Sequence, residues 1–238
     1  MDFYSDDKMQ NITQETITSK VIRCLREDIL SGRIPEGAHI GVKDISERYG
    51  VSNMPVREAF FTLAAEKLIE MSPYKGATVL PINERFILDM YEIQEMLERL
   101  LANGAMQFLT KEDFTKMREI NRRIYSLEDT DFGREEYIRL NAKIHDIIYS
   151  HSPNIHAFER YQYYHQLFTV MWSNYERVHQ RMVDAADEHL EIIEALESGD
   201  EDKVRHAIKI HSINARRNFL AQRGLKVSES ELDGALDE

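Results

Sequence analysis

Three of the chain's five prolines, Pro55, Pro73 and Pro81, crowd between residues 55 and 81 beside Gly50 and Gly76. Proline fixes its backbone angle and lacks an amide donor, so this stretch cannot be one continuous helix. Beyond Pro81 the sequence changes character. Apolar side chains recur every three or four residues through segments long enough for full amphipathic helices. The change predicts a boundary near residues 80–84, with a small domain over 1–80 and a larger all-helical one over 84–222. Charge divides at the same place: residues 1–82 hold 10 Lys+Arg against 12 Asp+Glu, and residues 83–238 hold 20 against 30. Most of the net charge of −12 therefore belongs to the second domain.

Several classes are excluded early. The sequence has no run of 18 apolar residues, so no membrane span is expected. Its start, MDFYSDDKMQ, is acidic and lacks the apolar core of a signal peptide. The single cysteine, Cys24, has no internal disulfide partner, which suits a reducing cytoplasm. No Ser-His-Asp order, P-loop or GxGxxG occurs, and no catalytic residue is assigned.

In the small domain a first helix is expected from Thr13 to Ser31, where Ile17, Val21, Leu25 and Ile29 form one apolar stripe and Gly32 stops it. A short second helix carries KDISERYG. After a turn at Val51–Ser52, Ser52 or Asn53 caps a third helix, with Pro55 in its first turn. Ala59, Phe60 and Leu63 are its buried positions. LIEM and ATVL then read as two strands of a β-hairpin, so the module is a winged helix-turn-helix. It could be a purely structural helical unit with Arg57 a solvated charge. Favouring DNA are the open amides and dipole at the start of the third helix, Arg57 in that turn, Lys43 on the preceding helix, and Lys75–Gly76 at the hairpin tip. Such local cations can hold a polyanion despite acidic bulk elsewhere.

The segments ILSGRIPEGAHI, DISERYGVSNMPVREAFFTLAAEKLI and KGATV resemble the N-terminal domain of GntR-family bacterial transcription regulators over residues 14–80. The resemblance implies a homodimer on a palindromic double-stranded operator, its third helices in adjacent major grooves. It assigns DNA contact to Lys43, Ser52, Asn53, Met54 and Arg57, and to the wing at Lys75 and Gly76. Family members usually carry arginine where this chain has Asn53 and threonine where it has Met54.

The large domain is expected to form an antiparallel bundle of about six helices, near 84–108, 111–127, 134–150, 154–175, 178–198 and 201–222, making the whole fold mainly α. Asp200 caps the last of them, and Gly104 does not end the first. The tail 226–238 is acidic and poor in apolar residues, and is expected to be disordered. Three inward stripes each contain a histidine: Ile138–Asn141–His145–Ile148, Met182–Ala186–His189–Ile193–Leu196, and Val204–Ile208–His211–Ala215. Buried imidazoles need partners. Separate core histidines satisfied by neighbours would meet that need, and so would one shared divalent metal, Zn, Ni or Mn, held by three imidazoles and an oxygen. The remaining histidines, His39, His151, His156, His165, His179 and His206, read as surface or loop residues. The aromatic run YQYYHQLFTVMW could line a pocket, or be core or a dimer seam. Asp146 and Glu188 adjoin two of the stripe histidines but are expected to face elsewhere.

MYEIQEMLE, RLNAKIHDIIYSHSPNI and DEHLEIIEALESGDEDKVRHAIKIHSIN resemble the FCD ligand-binding domain of the FadR subfamily across 84–222. The resemblance implies metal ligation by Asn141, His145, His189 and His211, and a small organic- or sugar-acid effector. Asn141 stands where many members have aspartate. Gln94, the implied effector contact, stands where many place an arginine that pairs with a carboxylate. The expected function is an effector-controlled transcription regulator, a repressor. A helical metalloenzyme with an accessory DNA-binding domain is the competing reading, and a regulator whose metal is structural or is itself the signal is another.

Overall fold

Helix α1 (Ile17–Leu30) begins where Thr16 caps it, its hydroxyl accepting from the Ser19 amide at 3.1 Å. The structure, a computed structural model, describes residues 15–73, 75–172 and 179–225. By its internal contacts the chain forms two units, Met1–Asn83 and Glu84–Glu238.

In the first unit α1 packs on α3 through Val21, Leu25 and Ile29. Ile17, expected to join that stripe, is 63% exposed, so the covered face starts one turn later. The second helix, α2 (Val42–Tyr49), ends at Gly50, whose φ of 65° suits a residue without a side chain. After the turn, α3 (Asn53–Ala65) buries Val56, Ala59, Phe60 and Leu63 completely. Ser52 occupies the cap position without a capping side-chain bond, and Asn53 instead accepts from the Ser46 hydroxyl at 2.8 Å.

The hairpin of β2 (Ile69–Ser72) and β3 (Gly76–Val79) acquires a third strand, β1 (His39–Ile40), in the order β1-β3-β2 with every pairing antiparallel. This corrects the two-strand expectation. Two residues are too few to display strand periodicity in sequence. Ser72 pairs with Gly76 at the end of the hairpin. Gly76 has φ 96°, and a Cβ there would lie 2.2 Å from the Ile40 carbonyl oxygen. No other residue lets β1 approach β3 so closely. Buried Asp28 on α1 gathers Arg33 at 2.5 Å, and Arg48 and the Tyr49 hydroxyl at 2.8 Å each, fixing the ends of α1 and α2 together.

The second unit contains α4 (Glu84–Ala105), α5 (Lys111–Tyr125), α6 (Asp131–Ser150), α7 (Ile155–Trp172), α8 (His179–Ser198) and α9 (Glu201–Gln222). Its core joins Leu101, Met117, Ile124, Leu140, Ile144, Ile148, Ile193, Leu196, Val204 and Ile208. Within it α4 packs on α6, α7 and α9, while α8 lies between α5 and α9. Gly104 sits inside α4, but the helix stops at Ala105 rather than near Phe108. The Phe108 and Leu109 amides both turn back to the Ala105 carbonyl, leaving Phe108 48% exposed. Thr110 and Asp113 form a reciprocal capping box on α5. Helix α6 starts earlier than expected because Thr130 caps it through the Gly133 amide. Asp200 caps α9 as read from sequence, accepting from the Asp202 and Lys203 amides. The acidic tail 226–238 lies outside the described residues.

Candidate functional site

Each of three helices turns one imidazole into the same buried volume: His145 from α6, His189 from α8 and His211 from α9. One nitrogen of each lies within 4.8 Å of the others. The three rings are almost fully enclosed, at 4%, 0% and 8% exposure, with centroids 5.0–5.2 Å apart. Both nitrogens of His189 are buried without a hydrogen-bond partner. Burial, with the neighbouring imidazoles, holds the His145 and His189 pKa values well below the usual 6.5, so both are neutral at pH 7 with lone pairs available. A tetrahedral ion with nitrogen ligands needs them about 3.3 Å apart, a contraction within side-chain reach. The convergent imidazole nitrogens, with both those of His189 lacking a partner, fit a divalent metal.

Asn141 lies one turn before His145 and lines the adjoining cavity, with its Oδ1 accepting from the Tyr137 hydroxyl at 3.3 Å. Glu188 corrects the sequence reading, because it does not face away. It is 7% exposed and accepts from His211 Nδ1 at 2.7 Å, from Arg181 through two bonds at 2.8 Å, and from Asn214 Nδ2 at 2.9 Å. Burial opposes its charge, but the bonds from His211 and Arg181 prevail and hold its carboxyl below the usual range. With Nδ1 committed to Glu188, Nε2 is the ring nitrogen His211 has left for the cluster.

The cavity of about 110 Å³ has room for several waters or a small solute. His165, expected at the surface, instead stacks on Tyr161 at 5.6 Å and forms part of the wall. The aromatic run supplies Tyr161, Phe168 and Trp172 to the same wall, so it is both core and pocket. Gln94 is there too, donating Nε2–H to Glu98 Oε1 at 2.8 Å. Glu98 is 4% exposed, and burial pushes its carboxyl up to about 7 against the opposing Gln94 bond. It was missed in the sequence, although Ile87, Tyr91, Gln94, Glu98 and Leu101 follow one helical face and a carboxyl on such a face is the signal.

In the first unit Ser52, Asn53, Met54 and Arg57 are exposed on or beside the first turns of α3. Met54 is 63% exposed. Lys43 reaches Glu47 at 3.7 Å on α2, a loose solvated pair. Lys75 is exposed at the hairpin tip, whereas Gly76 is pressed against β1. Arg57 has no ion pair or side-chain hydrogen bond among the described residues.

Residues 17–79 match the family described as bacterial regulatory proteins, gntR family, and residues 89–214 match the FCD domain. The chain is 28% identical over 218 residues to a probable D-xylose utilization operon transcriptional repressor of Paenarthrobacter nicotinovorans, covering 87% of this chain and 90% of that one. It is 27% identical over 163 residues to the gluconate operon transcriptional repressor of Bacillus subtilis, covering 67% and 60%. Among solved structures, Escherichia coli McbR/YncC superposes with a TM-score of 0.63 at 22% identity, covering 88% of this chain and 100% of that one. These families consist of transcription regulators and not enzymes, so the metalloenzyme reading falls. The chain belongs to the gntR family of bacterial regulatory proteins, a DNA-binding transcription regulator with a C-terminal FCD domain.

Proposed function

We propose that this protein is a cytoplasmic homodimeric repressor of the FadR subfamily, and that a small organic or sugar acid bound beside a divalent metal controls its operator affinity. The observation that carries the reading is His189, fully buried with two unpartnered nitrogens between two further buried imidazoles. Leaving such atoms unpaired costs on the order of 1–3 kcal/mol each. Coordination removes that cost at a lone pair. His145, His189 and His211 would hold Zn²⁺, Ni²⁺ or Mn²⁺, with Asn141 supplying an oxygen. The ion's chemistry is an open coordination position suited to a carboxylate or hydroxyl oxygen. Glu188 orients His211.

DNA contact falls to Lys43, Ser52, Asn53, Met54 and Arg57, with Lys75 in the wing and Gly76 shaping it. Palindromic binding needs two copies. Ile93, Met96 and Leu100 leave one apolar stripe of α4 40–55% exposed, suited to a second copy. Operon regulators of sugar metabolism among the relatives support a sugar-derived acid. The effector acts by binding one pose of the dimer better than another, which shifts operator affinity by the same coupling energy.

Elemental analysis of untagged protein purified without chelator is the test. About one divalent ion per chain is expected, lost on His189→Ala while the helical circular-dichroism signal persists. Repeated absence of metal, with none taken up on titration, would leave three core histidines and overturn the reading.

A further inference from the structure

The cavity that adjoins the histidine cluster has a second polar wall on α4. Gln94 spends its Nε2–H on Glu98 Oε1 at 2.8 Å, while its Oε1 is enclosed with no hydrogen-bond partner. Glu98 beside it is almost wholly buried. Glu98 sets the amide's orientation, because turning it over would place Oε1 against the Glu98 carboxylate and enclose an N–H instead. The described lining contains one permanent cation, Arg181, and its guanidinium is committed to Glu188 through two bonds. This wall therefore offers oxygen acceptors and lacks a free cation among the described residues.

We propose that Gln94 and Glu98 form a specificity subsite for a hydrogen-bond donor, hydroxyl or ammonium, at the end of the effector remote from its acid group. The effector class is then a monocarboxylate with a hydroxyl or amino terminus, and a dicarboxylate is rejected. This rests on the reading of the cavity as the effector site. A donor satisfies the orphan Gln94 oxygen and a lone pair of Glu98. A second carboxylate has no proton to give to the Gln94 oxygen, and above about pH 7 it meets an ionised Glu98 as a like charge. Rejection on such grounds is strong, because it leaves buried polar groups unpaired.

The test uses full-length protein supplemented with Zn²⁺ and acids that differ only at the far carbon. D-Gluconate ends in a hydroxyl, 6-amino-6-deoxy-D-gluconate in an ammonium and D-glucarate in a carboxylate, and analogous sets cover four and five carbons. Calorimetry should give one donor-ended member of a set an affinity about tenfold or more above its dicarboxylate, the ratio that 1.4 kcal/mol produces. Gln94→Arg should reverse the order, and where that variant fails to fold, Gln94→Leu should abolish the difference. Glu98→Gln separates the two donors, because an ammonium loses its countercharge and a hydroxyl does not. Wild-type protein that binds a dicarboxylate as well as its donor-ended partner overturns the subsite alone. No binding by any set, to wild type or variant, overturns the effector-site reading and the subsite with it.

Discussion

Glu188 receives four hydrogen bonds from three side chains, and its effect passes through His211. A carboxylate on Nδ1–H fixes both the tautomer and the ring plane of a ligating histidine, and it raises ligand basicity. Glu188→Gln keeps the volume but removes the charge and puts an N–H where an acceptor stood. The variant is expected to hold metal about 10- to 100-fold more weakly, measured by competition with a chromophoric chelator. Circular dichroism should show an unchanged helical content. Unchanged metal affinity would reduce Glu188 to a partner of Arg181. No sequence spacing foretold this residue's contact. It adjoins His189, whose direction the stripe does give, but it meets a histidine 23 positions later, on α9. Pairing across two helices depends on their rotation against one another, and periodicity carries no information on that.

The same division holds for whole elements. The long helices were legible because each repeats an apolar face for several turns, and α9 even announces its first residue through Asp200. The buried histidine cluster was legible in the same way, as three histidines on three inward stripes. Strand β1 was not, because its role comes from Ile40 lying against the one position, Gly76, that has no Cβ to obstruct it. At α3 the structure adds exposure to what the sequence predicts. Arg57 stands free in the first turns, and Asn53 is held by Ser46 with its amide donors still available. Arg57→Ala should weaken operator binding by about 1–3 kcal/mol if it reads a guanine, in a fluorescence-anisotropy titration of folded protein. Asn53→Arg should alter the preferred operator and steepen the salt dependence by about one phosphate contact or less per subunit. Selection from random DNA that returned one motif and one salt slope for both proteins would rule this out.

Across the whole molecule the buried titratable groups set how chelator-treated protein answers to acid. His145 and His189 are held neutral by burial, well below their ordinary 6.5, so the unfolded chain takes up two protons near pH 6.5 that the folded chain refuses. Their contribution to stability is complete above 6.5 and declines as the pH falls. Glu98 works in the opposite sense. Its carboxyl is raised from 4.5 to about 7, so the folded chain binds that proton first, and its cost to the fold recedes as the pH falls through 7. Below pH 6.5 the two histidines therefore lower stability while Glu98 offsets part of the loss, so the joint fall is shallower than the histidines alone would give. Glu98→Gln removes the opposing group and should steepen the slope between pH 6.5 and 4.5 by about 1.4 kcal/mol per unit. Urea denaturation from pH 7.5 to 5 measures both slopes, and identical slopes would contradict the burial of Glu98.

His189 lies in the interior of α8, the helix packed between α5 and α9, with neither ring nitrogen satisfied. Two unsatisfied nitrogens so placed lower the cost of opening the helix around them. Amide hydrogens on α8 should then exchange with solvent sooner, and proteases that sample transient openings should cut there more often. The ion would thereby govern how long each copy survives. Less metal would then mean more frequent opening of α8 and a shorter-lived fold.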